Sequence, residues 1–105
     1  MQAGRLNRRC VLQTPSTEAD ELGQPIPGWT DVATVWASIR HLSGVEAIKA
    51  DAVTSTVKAS IRIRYRTGLN AGMRVVHGAQ VYQIEAVMPD LARREFVDLV
   101  AKVVV

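Results

Sequence analysis

Hydrophobic and polar residues alternate with a period of two along most of this chain, and no long stretch has the helical period. Such alternation is typical of β-strands that bury one face and expose the other. Residues 54–66 show it most clearly. In this segment the side chains predicted to face inward are those of Val57, Ala59, Ile61, Ile63 and Tyr65. The pattern predicts a protein built mainly from strands.

Six segments have this strand character, and turn-forming or polar residues separate them. They are residues 9–14, 29–42, 54–66, 73–77, 80–88 and 95–105. Strands spaced this closely along a chain usually pair as antiparallel neighbours. We therefore predict a mainly β fold: a small antiparallel six-stranded β-barrel or sandwich with one short helix, in a single domain over residues 1–105.

Two longer segments interrupt the strands and are predicted to be loops. The first, about residues 15–28, holds three prolines and two glycines, and Gly23 is expected at the positive-φ position of a turn. The second covers about residues 43–55. Its Ser43 and Glu46 have the spacing of a capping box, which predicts that the short helix begins there and runs to about residue 51.

Both tryptophans of the chain lie in the second predicted strand. Alternation puts Val35, Ala37 and Ile39 on one face of this strand and Trp36 on the other. The large apolar area of an indole nevertheless favours burial, with contact to a partner as the alternative. We predict that Trp29 and Trp36 belong to the core.

The composition is that of an ordinary globular domain, with 48% hydrophobic and 22% charged residues, which excludes a disordered chain. The longest apolar run, residues 103–105, is far shorter than the about 20 residues that cross a bilayer. No secretory signal is evident, and the single cysteine, Cys10, has no internal disulfide partner, so a reducing cytoplasm is expected. The net charge of +3 permits contact with nucleic acid without requiring it.

The chain offers few groups for catalysis or metal binding. His41, His77 and Cys10 lack the spacing of metal ligands, and Cys10 is expected to be a buried thiol. No nucleophile motif or phosphate-binding loop occurs, and the adjacent carboxylates Asp20 and Glu21 suit a solvated loop. We predict no enzyme activity, no catalytic residue, no metal site and no cofactor.

A row of cations is the strongest electrostatic feature of the sequence. Lys58, Arg62, Arg64 and Arg66 occupy alternate positions on the predicted outer face of one strand, with about 6.6 Å between neighbours two residues apart. Such a row could track phosphates along nucleic acid. The alternative is a solvated barrel exterior on which Glu85 or Asp98 lies across the sheet from these cations.

Seven short motifs, spread in order over nearly the whole chain, match one known protein family. They are Gly4-Arg5-Leu6, Glu21 to Pro25 (ELGQP), Trp29 to Ala37 (WTDVATVWA), Leu42 to Glu46 (LSGVE), Ile61 to Arg66 (IRIRYR), Met73 to Val76 (MRVV) and Tyr82 to Val87 (YQIEAV). In these motifs the chain resembles the phage head-tail adaptors, which are the head-closure or head-tail joining proteins of long-tailed phages and prophages. The chain departs from them at its end, where Lys102 and three valines stand in place of a polar tail.

The resemblance implies a structural virion protein with a small β-barrel fold and no enzyme activity. Its place would be the head-tail junction of the virion, and the host cytoplasm before assembly. Its copies would form a dodecameric ring that encloses the DNA channel. The portal or an adaptor would bind on the head side, and a tail terminator or tail-completion protein on the tail side. The alternative function is a small nucleic-acid-binding β-barrel that uses the basic strand face.

On this interpretation two sets of residues are candidate contacts, and no membrane is involved. Candidate contacts to DNA or to a partner are Lys49, Lys58, Arg62, Arg64 and Arg66. Candidate interface residues in the two loops are Glu18, Asp20, Glu21, Val45 and Ile48.

Overall fold

The fold is given by a computed structural model that describes residues 6–42, 45–49 and 52–104; for residues 45–49 and 52–56 the description covers the backbone alone. Eight strands occur in this part of the chain. They are β1 (Arg8–Pro15), β2 (Trp29–His41), β3 (Val45–Lys49), β4 (Ala52–Thr56), β5 (Lys58–Arg64), β6 (Arg74–His77), β7 (Gln80–Pro89) and β8 (Phe96–Val104). None of the described segments is a helix of the length and apolarity that crossing a bilayer requires.

Six of the strands close into an antiparallel barrel with the order β1-β2-β5-β8-β7-β6. Pairing of β1 with β6 completes the circle. Each of the six predicted strand segments contributes one strand of this barrel, so the predicted mainly β, six-stranded antiparallel fold is confirmed. Of the two predicted forms, barrel or sandwich, the structure has the barrel. Closure removes most of the free strand edges that an open sheet of this size would expose.

The barrel interior is filled by hydrophobic side chains, and no polar or charged side chain among the described residues is buried. The predicted inward face of β5 is confirmed at three positions, since Ala59, Ile61 and Ile63 are fully buried. The prediction is wrong for Val57, which is 43% exposed. Val57 lies between β4 and β5, where the chain passes from one sheet to the other, so the alternation does not extend through it.

The predicted short helix from Ser43 to about residue 51 is wrong where the structure describes it. Ser43 itself lies outside the described residues, whereas Val45–Lys49 form β3 and pair antiparallel with Ala52–Thr56 of β4. Local capping signals predicted a helix too short to be stable without packing. β-branched residues favour the pleated backbone instead, and those of this hairpin are Val45, Ile48, Val53, Thr54 and Thr56.

Strand β2 links the barrel to both projecting segments. Its residues 29–37 pair with β1, whereas residues 37–41 pair with β5, so Ala37 is the point at which the pairing partner changes. The β1–β2 connection precedes Trp29, and the β3–β4 hairpin follows His41 as a two-stranded sheet of its own. The two segments therefore leave from opposite ends of a strand about 40 Å long.

Candidate interaction surfaces

Arg62, in the middle of the predicted basic row, forms a two-pronged ion pair across the barrel wall. Its partner is Asp98, the residue opposite it in the β5–β8 ladder. Nε of Arg62 lies 2.6 Å from Oδ1 of Asp98, and Nη2 lies 2.8 Å from Oδ2. These hydrogen bonds are the main reason that the pKa of Arg62 is raised above its ordinary value. The Phe96 ring, 5.6 Å from the guanidinium carbon, covers one side of the pair.

Lys58, the first residue of β5, is also paired with a carboxylate. Its Nζ lies 3.2 Å from Oε1 of Glu85 on β7, and both side chains are more than one-third exposed. Two of the four predicted cations thus meet Asp98 and Glu85, the carboxylates named for the solvated-exterior alternative. Ion pairing leaves these two positions with little net positive charge to offer a phosphate.

Arg64 and Arg66 lie in a different environment, in an opening between β2 and β5. The ladder between these strands ends at Ala37↔Ile63. Beyond that point residues 29–36 of β2 pair only with β1. The chain after β5 turns toward β8 instead, where Tyr65 N donates to Glu95 O. The separation leaves an open pocket of about 240 Å³, here called the β2–β5 cleft. Its lining residues are Val35, Trp36, Arg64, Tyr65 and Arg66.

The β2–β5 cleft is cationic and partly apolar. No carboxylate of the described residues forms an ion pair with Arg64 or Arg66. Nε of Arg66 is enclosed and finds no hydrogen-bond partner in the described part of the chain. An enclosed N–H donor without an acceptor carries a free-energy cost. Two arginines without a carboxylate partner among the described residues favour an incoming anionic group.

Trp36 forms the outer apolar wall of the cleft, so the prediction that it lies in the core is wrong. It is 56% exposed. Arg9 lies opposite it in the β1–β2 ladder and adds a further cation to this face. The alternation had indicated this position, because Trp36 has the parity of the outward residues; the general preference of indole for burial was the weaker guide.

Trp29 is likewise not a core residue, since it lies at the boundary between half-buried and exposed. The guanidinium carbon of Arg74 lies 4.2 Å from the centre of its ring. Arg74 Nε donates to Gln13 Oε1 at 2.7 Å, and Gln13 Nε2 donates to Asp31 Oδ1 at 2.8 Å. This chain of contacts on the outer face fixes the base of the β1–β2 connection.

The connection itself, residues 16–28 and here called the β1–β2 arm, is exposed and internally hydrogen-bonded. Ile26 N donates to Glu18 O, and Ala19 and Pro25 form a bridge, so the arm is a small hairpin. Asp20 Oδ1 accepts from the backbone N of both Leu22 and Gln24 at 2.9 Å. Gly23 takes a φ of 79°, as predicted for this turn.

The tip of the arm combines negative charge with an exposed apolar side chain. Glu18, Asp20 and Glu21 are all exposed, and their role as interface residues stays a prediction. Leu22, which follows Glu21, is 85% exposed. An apolar side chain this accessible at a hairpin tip is available to a partner.

The remaining candidate residues lie on the β3–β4 hairpin. Val45, Ile48 and Lys49 belong to β3, where they pair with Thr56, Val53 and Ala52. Their side chains lie outside the description, so their roles as DNA or interface contacts stay predictions.

The two histidines lie near one another at a barrel end, beside a buried tyrosine. Tyr82 Oη and His41 Nε2 are 3.0 Å apart, and His77 lines the same open pocket of about 230 Å³. Cys10 is fully buried, and burial raises the pKa of its thiol to about 11. In the described residues no three His, Cys, Asp or Glu side chains come together as a metal site.

Comparison with known proteins finds one matching family and three similar proteins. The model of the family described as phage head completion protein matches residues 1–104. The head completion protein gp7 of Enterobacteria phage HK97 is 33% identical over 75 residues, which are 71% of this chain and 67% of that protein.

Two solved structures contain similar chains. One is in the virion of a native gene transfer agent particle, with a TM-score of 0.72, 25% identity and coverage of 94% of this chain and 96% of that one. The other is the solution structure of protein SF1141 from Shigella flexneri 2a, with a TM-score of 0.73, 28% identity and coverage of 98% and 96%.

Proposed function

The chain belongs to the phage head completion protein family, and on that premise we propose that it is a structural virion protein that completes the head where the tail joins. The observation that carries the proposal is the match of the family to residues 1–104, almost the entire chain. The relative gp7 of HK97 bears the same description, and a chain with the same barrel is part of a gene transfer agent virion. The place of action is therefore the virion.

This role requires surfaces and rigidity, and it requires no chemistry from the chain. The barrel interior is filled by aliphatic side chains such as Leu12, Ile61 and Leu99, which are fully buried. Arg62 and Lys58 are engaged by carboxylates on the barrel wall. We infer that the protein is not an enzyme and that it acts as a rigid frame for its projecting segments.

The particle supplies the partners. We propose that copies of the chain form a dodecameric ring around the DNA channel, with the portal or an adaptor on one side and a tail terminator or tail-completion protein on the other. In support, the β1–β2 arm and the β3–β4 hairpin leave from opposite ends of β2, so one subunit has two separate sets of projecting groups.

The candidate contacts to DNA are not equivalent, because two of these cations form ion pairs with carboxylates of the same chain. Arg62 and Lys58 are each paired with a carboxylate, whereas Arg64 and Arg66 have no carboxylate partner among the described residues, and Lys49 remains a candidate for the channel. This difference also weakens the alternative of a nucleic-acid-binding barrel, which needed the whole row along a phosphate backbone.

Deletion of the coding gene from the phage or prophage that carries it tests the function. We expect DNA-containing heads and separate tails, with joined particles restored by the native chain supplied in trans. Labelled chain should then co-purify with joined particles and lie at the head-tail junction in electron micrographs. Joined, infective particles at the normal yield without the gene would contradict the proposal.

A further inference from the structure

We propose that the β2–β5 cleft of one subunit binds the tip of the acidic β1–β2 arm of a second copy of this chain. The inference rests on the proposed function and deepens it, because it names the contact that would hold neighbouring subunits together. Its two surfaces lie on one chain and complement each other in charge and in polarity.

The cleft provides cations on an apolar wall. Arg64 and Arg66 lack a carboxylate partner among the described residues, and Nε of Arg66 is enclosed without a hydrogen-bond acceptor there. The walls beside them are the side chains of Val35, Trp36 and Tyr65. Such a site suits a ligand that combines carboxylates with an apolar group, because guanidinium and carboxylate form strong paired hydrogen bonds.

The arm provides that combination. Residues 16–28 contain Glu18, Asp20 and Glu21 and no Lys, Arg or His. The side chains of Glu18 and Glu21 are exposed and form no ion pair within the described chain. Leu22, 85% exposed, can fill the space beside Trp36. Since its own hydrogen bonds already order the arm, binding would cost little conformational entropy.

The arm cannot easily occupy the cleft of its own subunit. It ends at Gly28, directly before Trp29, and Trp29 is seven residues from Trp36 along strand β2. That separation is about 23 Å, and the arm extends beyond Trp29. A contact between different surfaces of two copies is heterologous, and contacts of this kind repeat from subunit to subunit to give a ring or a filament.

Disulfide trapping tests the contact inside the particle. A chain with Leu22→Cys and Trp36→Cys, supplied to particles that lack the native gene, should form a ladder of dimers, trimers and larger species on mild oxidation. A mixture of the two single variants should stop at dimers. The native Cys10 is fully buried and does not compete. Leu91→Cys with Trp36→Cys is the matched control, because Leu91 is 76% exposed on a different turn and should give no ladder.

Charge reversal provides a second readout. Glu18→Lys with Glu21→Lys, or Arg64→Glu with Arg66→Glu, should lower the yield of joined particles about tenfold or more. All four substitutions in one chain should restore much of that yield, because opposite charges meet again. If each pair blocks joining and the combination does not recover it, the cleft has a different partner and the self-contact is wrong.

The outcomes separate this inference from the proposed function. Joined particles that contain the double-cysteine chain but yield no ladder would overturn the arm-to-cleft contact and leave the function standing. Dimers formed by Leu22→Cys alone would also overturn it, since they would indicate arms that meet each other. Absence of the chain from joined particles would contradict the proposed function itself.

Discussion

The barrel interior and the β1–β2 arm are both hydrogen-bonded β structures, yet different interactions hold them. In the barrel, side chains such as Leu99 and Ile61 are fully buried and form one apolar cluster. In the arm, all residues from 17 to 28 are exposed. Order in the arm comes from backbone hydrogen bonds and from the Asp20 carboxylate.

This contrast assigns different tasks to the two regions. Burial of apolar area is the dominant stabilising term in a domain of this size. Among the residues whose side chains are described, the buried hydrophobic ones lie almost entirely in the barrel. Exposed apolar and acidic groups at the arm tip contribute little to folding and are free for recognition. Substitutions in the barrel interior should therefore change stability, whereas substitutions at the arm tip should change assembly.

Replacing a leucine by alanine in each region should give the largest difference in the free energy of unfolding. Leu99→Ala should lower the free energy of unfolding by about 2–5 kcal/mol, because it removes buried methyl groups and leaves a cavity. Leu22→Ala, at the arm tip, should change it by less than about 0.5 kcal/mol. Urea unfolding followed by circular dichroism measures both. Similar losses for the two variants would contradict the division of tasks.

The buried thiol of Cys10 should make the stability of the barrel depend on pH. Burial raises the pKa of its thiol from 9.0 to about 11, an effect that nearby Arg8 partly offsets. The unfolded chain loses this proton at a lower pH than the native barrel, so stability should fall as pH rises from about 9 to about 11. The contribution reaches about 2 kcal/mol.

Unfolding by urea at intervals between pH 8 and pH 11 measures the effect of Cys10. The control is Cys10→Ala, whose unfolding free energy should decline less steeply over this range, so that the gap between the two proteins narrows. A gap that stays constant with pH would show that the thiol is not desolvated in the native barrel.

Two arginines on the same outer face of the barrel wall provide a smaller contrast. Asp98→Asn should cost about 0.5–1 kcal/mol of stability, since the Arg62–Asp98 pair is well aligned but about one-third exposed. The loss should shrink in 1 M salt. Arg64→Gln should change stability by less than about 0.3 kcal/mol, because no described carboxylate holds it. Thermal and urea unfolding measure both losses of stability. Equal losses for Asp98→Asn and Arg64→Gln would contradict this difference.

The barrel wall could be predicted from the sequence because one of its faces is buried throughout. Period-two alternation identified Ala59, Ile61 and Ile63 as inward, and all three are fully buried. The turn residues were equally informative, since Gly23 has the positive φ that was predicted for it from the surrounding sequence. Both signals are local and depend on no distant partner.

The β3–β4 hairpin and the β2–β5 cleft depend on which strands pair with each other, and local sequence patterns do not determine this. The spacing of Ser43 and Glu46 favoured a helix, but residues 45–49 gain a full ladder with residues 52–56. At the cleft the alternation continues without a break on both strands. The opening exists because β2 stays with β1 while Tyr65 turns toward Glu95, and this choice of neighbours is a tertiary property.

Substitution of Asp20, the residue that orders the arm, should have a local effect and leave global stability almost unchanged. Asp20→Ala removes the acceptor that binds the backbone N of Leu22 and Gln24. Loss of such a side-chain cap costs about 1 kcal/mol locally, which corresponds to roughly fivefold faster amide exchange at these two positions. The free energy of global unfolding should change by less than about 0.5 kcal/mol, because the arm contributes no residue to the apolar cluster of the barrel.

Hydrogen exchange followed by NMR separates the local effect of Asp20 from the global one. Asp20→Asn is the control: it keeps an acceptor oxygen at the same place and should exchange at nearly the native rate. The backbone bond from Gly23 N to residue 20 O remains in both variants, so the turn should loosen without being lost. A fall in global stability with Asp20→Ala would mean that the arm and the barrel unfold as one unit. In that case the arm would be part of the stabilised frame, and its acidic tip would not be free to change without cost to the fold.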